Sequence, residues 1–184
     1  MIKKRHIVLF ASLAPILFCC RNPYVEKLQY VKSWNLSFED SANNYNILKG
    51  DAASGSCFAH TGNGLEFSVG ISFDLPDSLA NRDLRIYIDC AARRSRDNIG
   101  YLVLTLRQGD ITRYWRGFNA NDYLSEINQW QRITDSTQIP SRINNSKGIT
   151  MQVYGWNPSK EATFFDLDDF KIMIREVKTE KREN

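Results

Sequence analysis

Residues 165–174 read FDLDDFKIMI and carry the pattern that decides the fold class. The apolar residues stand at odd positions before the Asp168-Asp169 pair, at Phe165 and Leu167, and at even positions after it, at Phe170, Ile172 and Ile174. Side chains of a β-strand point alternately to opposite faces, so both sets reach one face only if an extra residue enters the strand at Asp168-Asp169. The segment therefore predicts a strand with a β-bulge.

Alternation of apolar and polar residues recurs along most of the chain. It is clearest in residues 65–73, where every odd position is apolar. Nine such runs cover residues 31–39, 57–60, 65–73, 84–90, 102–106, 111–118, 129–134, 149–154 and 165–174. Turn-forming stretches such as Gln108-Gly109-Asp110 separate them, and only residues 122–127 suggest a helical turn. About nine short strands with little helical periodicity predict an all-β fold, an antiparallel sandwich of two sheets.

The N-terminus has the three parts of an export signal. Residues 3–6 are basic, residues 7–18 form an apolar run, and Cys19-Cys20 ends it. Leu17 three residues before Cys20 resembles a bacterial lipobox, which makes Cys20 the expected lipidation site, although bulky Phe18 departs from the usual small residue. An uncleaved anchor or an ordinary secretory peptide is the alternative. We expect a lipoprotein-type signal peptide at 1–20, a tether at 21–29, the sandwich at 30–177 and a charged tail at 178–184.

The net charge of the chain is concentrated in that signal. The whole sequence contains 24 basic and 21 acidic residues, and Lys3, Lys4 and Arg5 lie in the segment expected to be removed. Without these three, 21 basic residues remain against 21 acidic ones. The mature part therefore has no net charge to attract nucleic acid or an anionic membrane, and contact with a membrane is expected through the lipid anchor only.

The order of motifs resembles that of jelly-roll, galactose-binding-like domains of carbohydrate-binding modules. The motifs are Phe38-Glu39, residues 54–57, Asp74-Leu75-Pro76, Trp130 ahead of Ile139-Pro140, residues 153–157 and residues 165–172. The resemblance covers residues 30–177 and is to modules common in exported lipoproteins of Bacteroides-type bacteria. It implies a jelly-roll sandwich anchored in the cell envelope, in the outer membrane, with a glycan or an envelope protein as partner. Related jelly rolls often hold a structural calcium, for which Glu39, Asp40 and Asp169 are the expected ligands; no other cofactor is expected.

The sequence contains few groups of residues that could support catalysis. His60 is the single histidine outside the signal segment, no nucleophile elbow or phosphate loop is present, and no His/Cys cluster suits zinc. Asp166 and Asp168 share one face of a strand, faintly like the acidic strand of sandwich-fold glycoside hydrolases, but Lys171 stands where a third acid is required. We therefore expect a non-enzymatic protein, with a small glycoside hydrolase as the only enzymatic class left open.

Strand alternation turns an unusual number of aromatic and polar side chains away from the core. They are Arg85, Tyr87, Asp89, Tyr101, Arg107, Gln152, Tyr154 and Trp156, with Trp115 as a further candidate. Aromatic rings stack on the apolar faces of sugars while polar groups bind the hydroxyls, so these nine residues are the predicted glycan site, provided that their strands are neighbours in one sheet. Alternatively, they lie under a loop or form part of a protein–protein module of an envelope complex.

Cys57 and Cys90 are the two thiols left if Cys19 is removed and Cys20 is acylated. An export route permits a disulfide between them. The alternative, favoured because Cys90 shares the apolar side of its strand, is two buried free thiols.

Overall fold

The computed structural model describes residues 24–39, 46–62, 64–95, 100–159 and 163–181, and these residues form an all-β sandwich. Its ten strands are β1 (Tyr24–Leu36), β2 (Ile47–Lys49), β3 (Cys57–Thr61), β4 (Ile71–Asp74), β5 (Leu84–Arg94), β6 (Tyr101–Gln108), β7 (Ile111–Asn119), β8 (Gln131–Ile139), β9 (Ile149–Trp156) and β10 (Phe165–Lys181). Every strand pair is antiparallel. The predicted fold class is confirmed, with β2 as the strand that the alternation did not indicate.

The strands form two sheets that face each other. Sheet A has the order β2-β3-β10-β5-β8, and β1 also pairs with β10. Sheet B has the order β4-β9-β6-β7. In sheet B, β9 lies between β4 and β6, so both of its neighbours are far from it in sequence, whereas β6 and β7 are consecutive strands.

The two inner faces meet in one apolar core. Sheet B contributes the even residues of β6 and the odd residues of β9, such as Leu104 and Met151, both fully buried. Sheet A contributes the even residues of β5, such as Ile86, together with Ile172 and its neighbours in β10. The burial of alternate residues follows directly from the two-residue repeat of a strand.

The bulge predicted in the last strand is confirmed. Between the pairs Asp168↔Ala91 and Lys171↔Asp89, two residues of β10 lie opposite one residue of β5, and Asp169 has a φ of 52°. The extra residue brings the two phases of the apolar pattern to the inner face; Phe165, Leu167, Phe170, Ile172 and Ile174 are all buried. The bulge is also where β10 changes its partner from β3 to β1.

Strands β1 and β10 extend beyond the predicted limits of the sandwich. Residues 24–29, expected in the tether, pair in register with residues 176–181, most of which were expected in the charged tail. A 2.5 Å ion pair joins Lys27 to Glu180 across the two strands, and Leu28 lies opposite Val177. The strand thus begins at Tyr24 instead of near residue 30.

Two local expectations were wrong. The alternating run 65–73 is a strand only from Ile71, and Phe67 is 47% exposed instead of buried. Residues 65–68 follow the end of β9, where Ser68 and Asn157 form backbone bonds with Gly155 and Glu66, so they never enter the β4 ladder. Residues 122–127 contain no α-helix; Ala120–Asp122 is one 3-10 turn.

Among the described residues, no helix has the length and apolar character to cross a membrane.

Cys57 and Cys90 are buried free thiols, so the disulfide alternative is wrong. Both face the core of sheet A. Burial raises the pKa of the Cys90 thiol far above its ordinary value, because the charged thiolate would lose its hydration there.

Candidate functional site

The outer face of sheet B carries a cluster of five aromatic rings, which we call the platform: Phe67, Tyr101, Trp115, Tyr154 and Trp156. Trp156 is at its centre. Its ring centroid lies 5.3 Å from that of Tyr101 and 6.3 Å from that of Trp115. Phe67 meets Tyr154 edge to face at 5.9 Å. Tyr154 and Trp156 point away from the core, as predicted from the alternation in β9.

The backbone of sheet B dictates where the rings lie. Tyr101 pairs with Trp156, and Thr105 pairs with Trp115, across adjacent strands. Gly117 leaves the room that the Trp115 indole occupies, since a Cβ at Gly117 would come within 2.6 Å of that ring. Trp115 and Tyr154 lie on the two strands that flank β6. As a result, Val103 and Thr105 are buried although they face outward.

An open cleft of about 340 Å³ adjoins the platform on the β4 side. It is lined by Phe67, Ser68, Gly70, Ile71, Ser72, Gln152 and Tyr154. Phe67 and Tyr154 belong to both the cleft and the platform. The cleft thus offers two aromatic edges together with hydroxyl and amide groups, and a chain-like ligand could contact cleft and rings at once.

Hydrogen bonds hold parts of the platform in place. The indole N–H of Trp156 donates to Glu66 Oε1 at 3.1 Å, which fixes the orientation of the central ring. Burial raises the pKa of the Tyr154 hydroxyl, an effect opposed by the bond with Trp115 and by the positive charge of Arg107. The Tyr154 hydroxyl is therefore neutral at physiological pH and available as a hydrogen-bond donor and acceptor.

The structure divides the nine predicted site residues between the two sheets. Six of them lie together on the outer face of sheet B: Tyr101, Arg107, Trp115, Gln152, Tyr154 and Trp156. Arg85, Tyr87 and Asp89 lie on β5 in sheet A, so the condition that all these strands are neighbours is wrong. Strand alternation tells which face a side chain takes but not which sheet its strand joins.

The three residues on β5 are engaged by other side chains of sheet A. Arg85 forms a 3.0 Å ion pair with Glu26, and Tyr87 lies under the guanidinium of Arg175 at 5.3 Å. Asp89 forms a 2.8 Å ion pair with Arg132. Burial raises the pKa of Asp89, but hydrogen bonds from Arg132 and Thr134 outweigh it and hold that pKa below its usual value.

The expected calcium ligands are engaged within the protein. The Glu39 carboxylate accepts hydrogen bonds from the backbone N–H groups of Ser56 and Cys57 at 2.8 and 2.7 Å, and Asp169 pairs with Arg132 at 2.9 Å. Asp40 lies outside the described residues. In the part of the chain that the structure describes, no three His, Cys, Asp or Glu side chains are grouped to hold a metal ion.

The remaining titratable cluster lies on the outer face of sheet A. His60 Nδ1 is 2.7 Å from Asp166 Oδ1, and Arg93 donates two hydrogen bonds to the other oxygen of Asp166. The Arg93 guanidinium is enclosed by aromatic rings, with Trp130 at 4.7 Å and Phe58 at 5.1 Å. Asp168, the other acid of the hydrolase-like pair, accepts a hydrogen bond from the Ser54 N–H and is fully buried. Asp166 and Asp168 are thus held by contacts within the protein. They lie on sheet A, whereas the cleft lies on sheet B.

Sequence reasoning missed Phe67 and Glu66. Both fall in the run 65–73, whose regular alternation assigned Phe67 to the core. The signal that could have found them is the pair Gly62 and Gly64 just before the run, because both adopt positive φ and turn the chain.

No family model and no curated protein matches this chain. The CBM22-2 xylan-binding domain of Paenibacillus barcinonensis Xyn10C shares 17% identity at a TM-score of 0.49, over 76% of this chain and 98% of that one. A CBM35 from Cellvibrio japonicus Abf62 shares 12% at 0.45, over 83% and 99%. A cyclase from Fischerella sp. TAU shares 11% at 0.43, over 77% and 72%.

Two of these three structures are carbohydrate-binding modules, the class of domain that the motifs of this sequence resemble. At identities of 17% or less, a structural likeness does not carry a ligand from one protein to another. The function of this chain is therefore inferred from its own side chains.

Proposed function

We propose that this protein is a non-catalytic glycan-binding protein whose binding site is the platform and the adjoining cleft on sheet B. The observation that carries the proposal is the grouping of five aromatic rings on the outer face of a hydrogen-bonded sheet. Trp115 is 50% exposed and Phe67 is 47% exposed, so two large apolar surfaces face solvent side by side with the half-buried Trp156. Exposed apolar groups of this extent mark interaction sites in soluble domains.

The chemistry of the rings suits sugars. A pyranose has one apolar face of C–H groups and a rim of hydroxyls, and an aromatic ring with polar neighbours matches both. Gln152 and Tyr154 line the cleft beside the rings and can bind hydroxyl groups. Because the rings stand on paired strands, little entropy is lost when a ligand stacks on them.

The absence of catalysis is part of the proposal. Hydrolysis of a glycosidic bond by the usual route requires two carboxyl groups flanking the scissile bond. None of the residues lining the cleft is acidic, and Asp166 and Asp168 lie on the opposite sheet. Glu66 is the acid nearest the rings, and its contact with the Trp156 indole gives it a positioning role.

The decisive variant is Trp115→Ala. Truncation of an aromatic anchor costs about 2 kcal/mol or more of binding free energy, so we expect the affinity for glycan to fall by at least about 30-fold. Glycan binding is first mapped on an array and then quantified by affinity gel electrophoresis with the polysaccharide that binds. Thermal unfolding should show a change of less than about 1 kcal/mol, because Trp115 is an exposed side chain.

Tyr30→Ala is the matched control. Tyr30 is 58% exposed on β1 of sheet A, so its removal deletes an equally accessible ring away from the platform. We expect it to bind glycan as the wild type does. A folded Trp115→Ala variant with unchanged binding would overturn the proposed site. A wild-type protein that binds no glycan on the array would overturn the function and favour a protein–protein module.

We also propose that the protein is presented as a lipoprotein of the bacterial cell envelope, acylated at Cys20 and anchored in the outer membrane. The support is the signal-like sequence of residues 1–20, which lies outside the described residues. A lipid anchor at one end of a sandwich leaves the outer face of sheet B free to meet polysaccharide.

A further inference from the structure

One side chain on the outer face of sheet B is not explained by stacking. Arg107 is half-buried near the end of β6, with its side chain on the platform side of the sheet. Its Nε–H is buried and has no hydrogen-bond partner among the described residues. Within the same described part of the chain, its guanidinium forms no ion pair. A buried N–H group of a permanently charged side chain is costly without a hydrogen-bond partner, so the position of Arg107 needs a cause.

The neighbours of Arg107 are polar and also unsatisfied. Thr105, two residues earlier on the same face, has a buried hydroxyl with no hydrogen-bond partner among the residues that the structure describes. Gln152, which lines the cleft, pairs across the strands with Thr105. These three side chains therefore form a small polar site next to the Trp115 and Tyr154 rings, and the charge of Arg107 is near enough to influence the Tyr154 hydroxyl.

In the ranges that the structure describes, no acid forms an ion pair with Arg107. Strands β6, β7 and β9 contain no Asp or Glu. Asp74, on the edge strand β4, accepts a hydrogen bond from Thr150 at 2.8 Å, and Glu66 accepts one from Trp156. Arg113, on the neighbouring strand β7, is held by Gln108 through two hydrogen bonds of 2.6 and 3.2 Å. Arg107 is thus a cation of the binding face that is paired with no acid among the described residues.

We propose that the ligand is an acidic glycan, and that Arg107 binds its carboxylate or sulfate group while the platform stacks on the sugar rings. This inference rests on the proposed function and specifies its ligand. A guanidinium donates parallel hydrogen bonds to the two oxygens of a carboxylate or sulfate, which compensates its charge, whereas a sugar hydroxyl leaves that charge uncompensated. Gln152, which lines the cleft, supplies a further hydrogen bond.

The test compares acidic glycans with their own neutralised forms. The probes are polygalacturonate with its methyl ester, glucuronoxylan with its carboxyl-reduced form, and carrageenan with its desulfated form. Each pair keeps the sugar backbone and removes the charge, and the three pairs separate a carboxylate ligand from a sulfate ligand. Affinities are measured by isothermal titration calorimetry on the wild type, Arg107→Gln, Trp115→Ala and the control Arg142→Gln, which removes the same charge from the exposed loop between β8 and β9.

We expect the wild type to bind at least one acidic probe about tenfold or more tightly than its neutralised form, which corresponds to about 1.4 kcal/mol. Arg107→Gln should lose this preference and bind the neutral form within twofold of the wild type, whereas Arg142→Gln should keep it. Added salt should weaken the binding of the acidic probe but not that of its neutralised form.

The outcomes separate the two proposals. If the wild type binds neutral forms as tightly as acidic ones and Trp115→Ala abolishes both, the glycan-binding function stands and the acidic ligand is refuted. If Arg107→Gln keeps the acidic preference, Arg107 is not the anion site and the inference is likewise refuted. If no probe binds and the array is also negative, both proposals fail.

Discussion

A residue without a side chain determines how the most exposed ring of the platform lies. Gly117 occupies the middle of β7, where glycine weakens a strand relative to a residue with a side chain. Its lack of a Cβ allows the Trp115 indole to lie over the backbone, and the Tyr101 ring is next to it, 3.2 Å from the position of a Cβ. The glycine thus has a packing role, because its backbone has no need of a positive φ.

Gly117→Ala should therefore impair binding without unfolding the protein. The added methyl group would lie 2.6 Å from the far end of the Trp115 ring, so the ring must move. We expect glycan affinity to fall by about tenfold, or about 1.4 kcal/mol, and stability to change by less than about 1 kcal/mol. Affinity gel electrophoresis and thermal unfolding measure the two quantities.

The control is the same substitution in a Trp115→Ala background. If Gly117→Ala acts by displacing the indole, it should add less than a twofold loss once that ring is absent, as a double-mutant cycle requires for two residues in contact. A full additional tenfold loss would show that the glycine acts through another part of the face.

At the scale of an element, β10 shows how one extra residue organises a sheet. The two acids of its bulge have different tasks. Asp168 is fully buried and accepts hydrogen bonds from the N–H groups of Ser54 and Asp169 at 2.9 and 2.7 Å. Asp169 provides the positive φ, and its exposed carboxylate pairs with Arg132. The capping of backbone groups is therefore the task of Asp168.

Asp168→Ala should destabilise the fold by about 1–3 kcal/mol, because it leaves two backbone donors without their acceptor. Asp169→Gly is the comparison variant and should change stability by less than about 1 kcal/mol, since glycine adopts a positive φ freely and an exposed ion pair contributes little. Urea unfolding monitored by tryptophan fluorescence measures both. Equal losses for the two variants would contradict the division of roles.

The pH dependence of the stability difference between the wild type and Asp168→Ala tests the role of Asp168 a second time. Burial raises the pKa of the Asp168 carboxyl above its ordinary value, despite hydrogen bonds from Ser54 and Asp169 that lower it. A raised native pKa means that the native state binds this proton more tightly than the unfolded chain. The associated stability is complete below the ordinary pKa of about 3.9 and is lost as the pH rises through the native value. The deficit of Asp168→Ala should accordingly be larger at about pH 3 than at neutral pH.

At the scale of the whole molecule, the proposed anchor and the sandwich are close together. Strand β1 begins at Tyr24, four residues after Cys20, and a chain of that length spans at most about 15 Å. An acylated Cys20 would therefore hold the domain near the membrane surface instead of on a long tether. The platform lies on sheet B, whereas β1 belongs to sheet A.

Cys20→Ala should release the protein from membranes. Without acylation, the chain has no anchor, and we expect the variant in the soluble fraction after cell fractionation, with its glycan affinity unchanged. Mass spectrometry of the N-terminal peptide from the wild-type protein should show an acylated Cys20. A free Cys20 thiol in that peptide would contradict the proposed presentation, while leaving the binding site untouched.

The fold class and the bulge could be predicted from the sequence because both are local. The two-residue repeat places Ile149, Met151 and Val153 on one face of a strand and Tyr154 and Trp156 on the other, whatever the strand pairs with. The phase change at Asp168-Asp169 requires an extra residue for the same reason. Where a regular pattern was misleading, at Phe67, backbone pairing with the end of β9 displaced the local preference.

Only the tertiary structure decided which of the outward-facing side chains form one site. Tyr87 and Tyr101 have the same orientation relative to the core, but β5 lies in sheet A and β6 in sheet B, so their rings face opposite sides of the molecule. Sheet membership depends on pairing between segments that are distant in sequence, as for β4 with β9, and the local alternation contains no information on that choice. The sequence by itself therefore determined the candidates, and long-range strand pairing selected six of the nine.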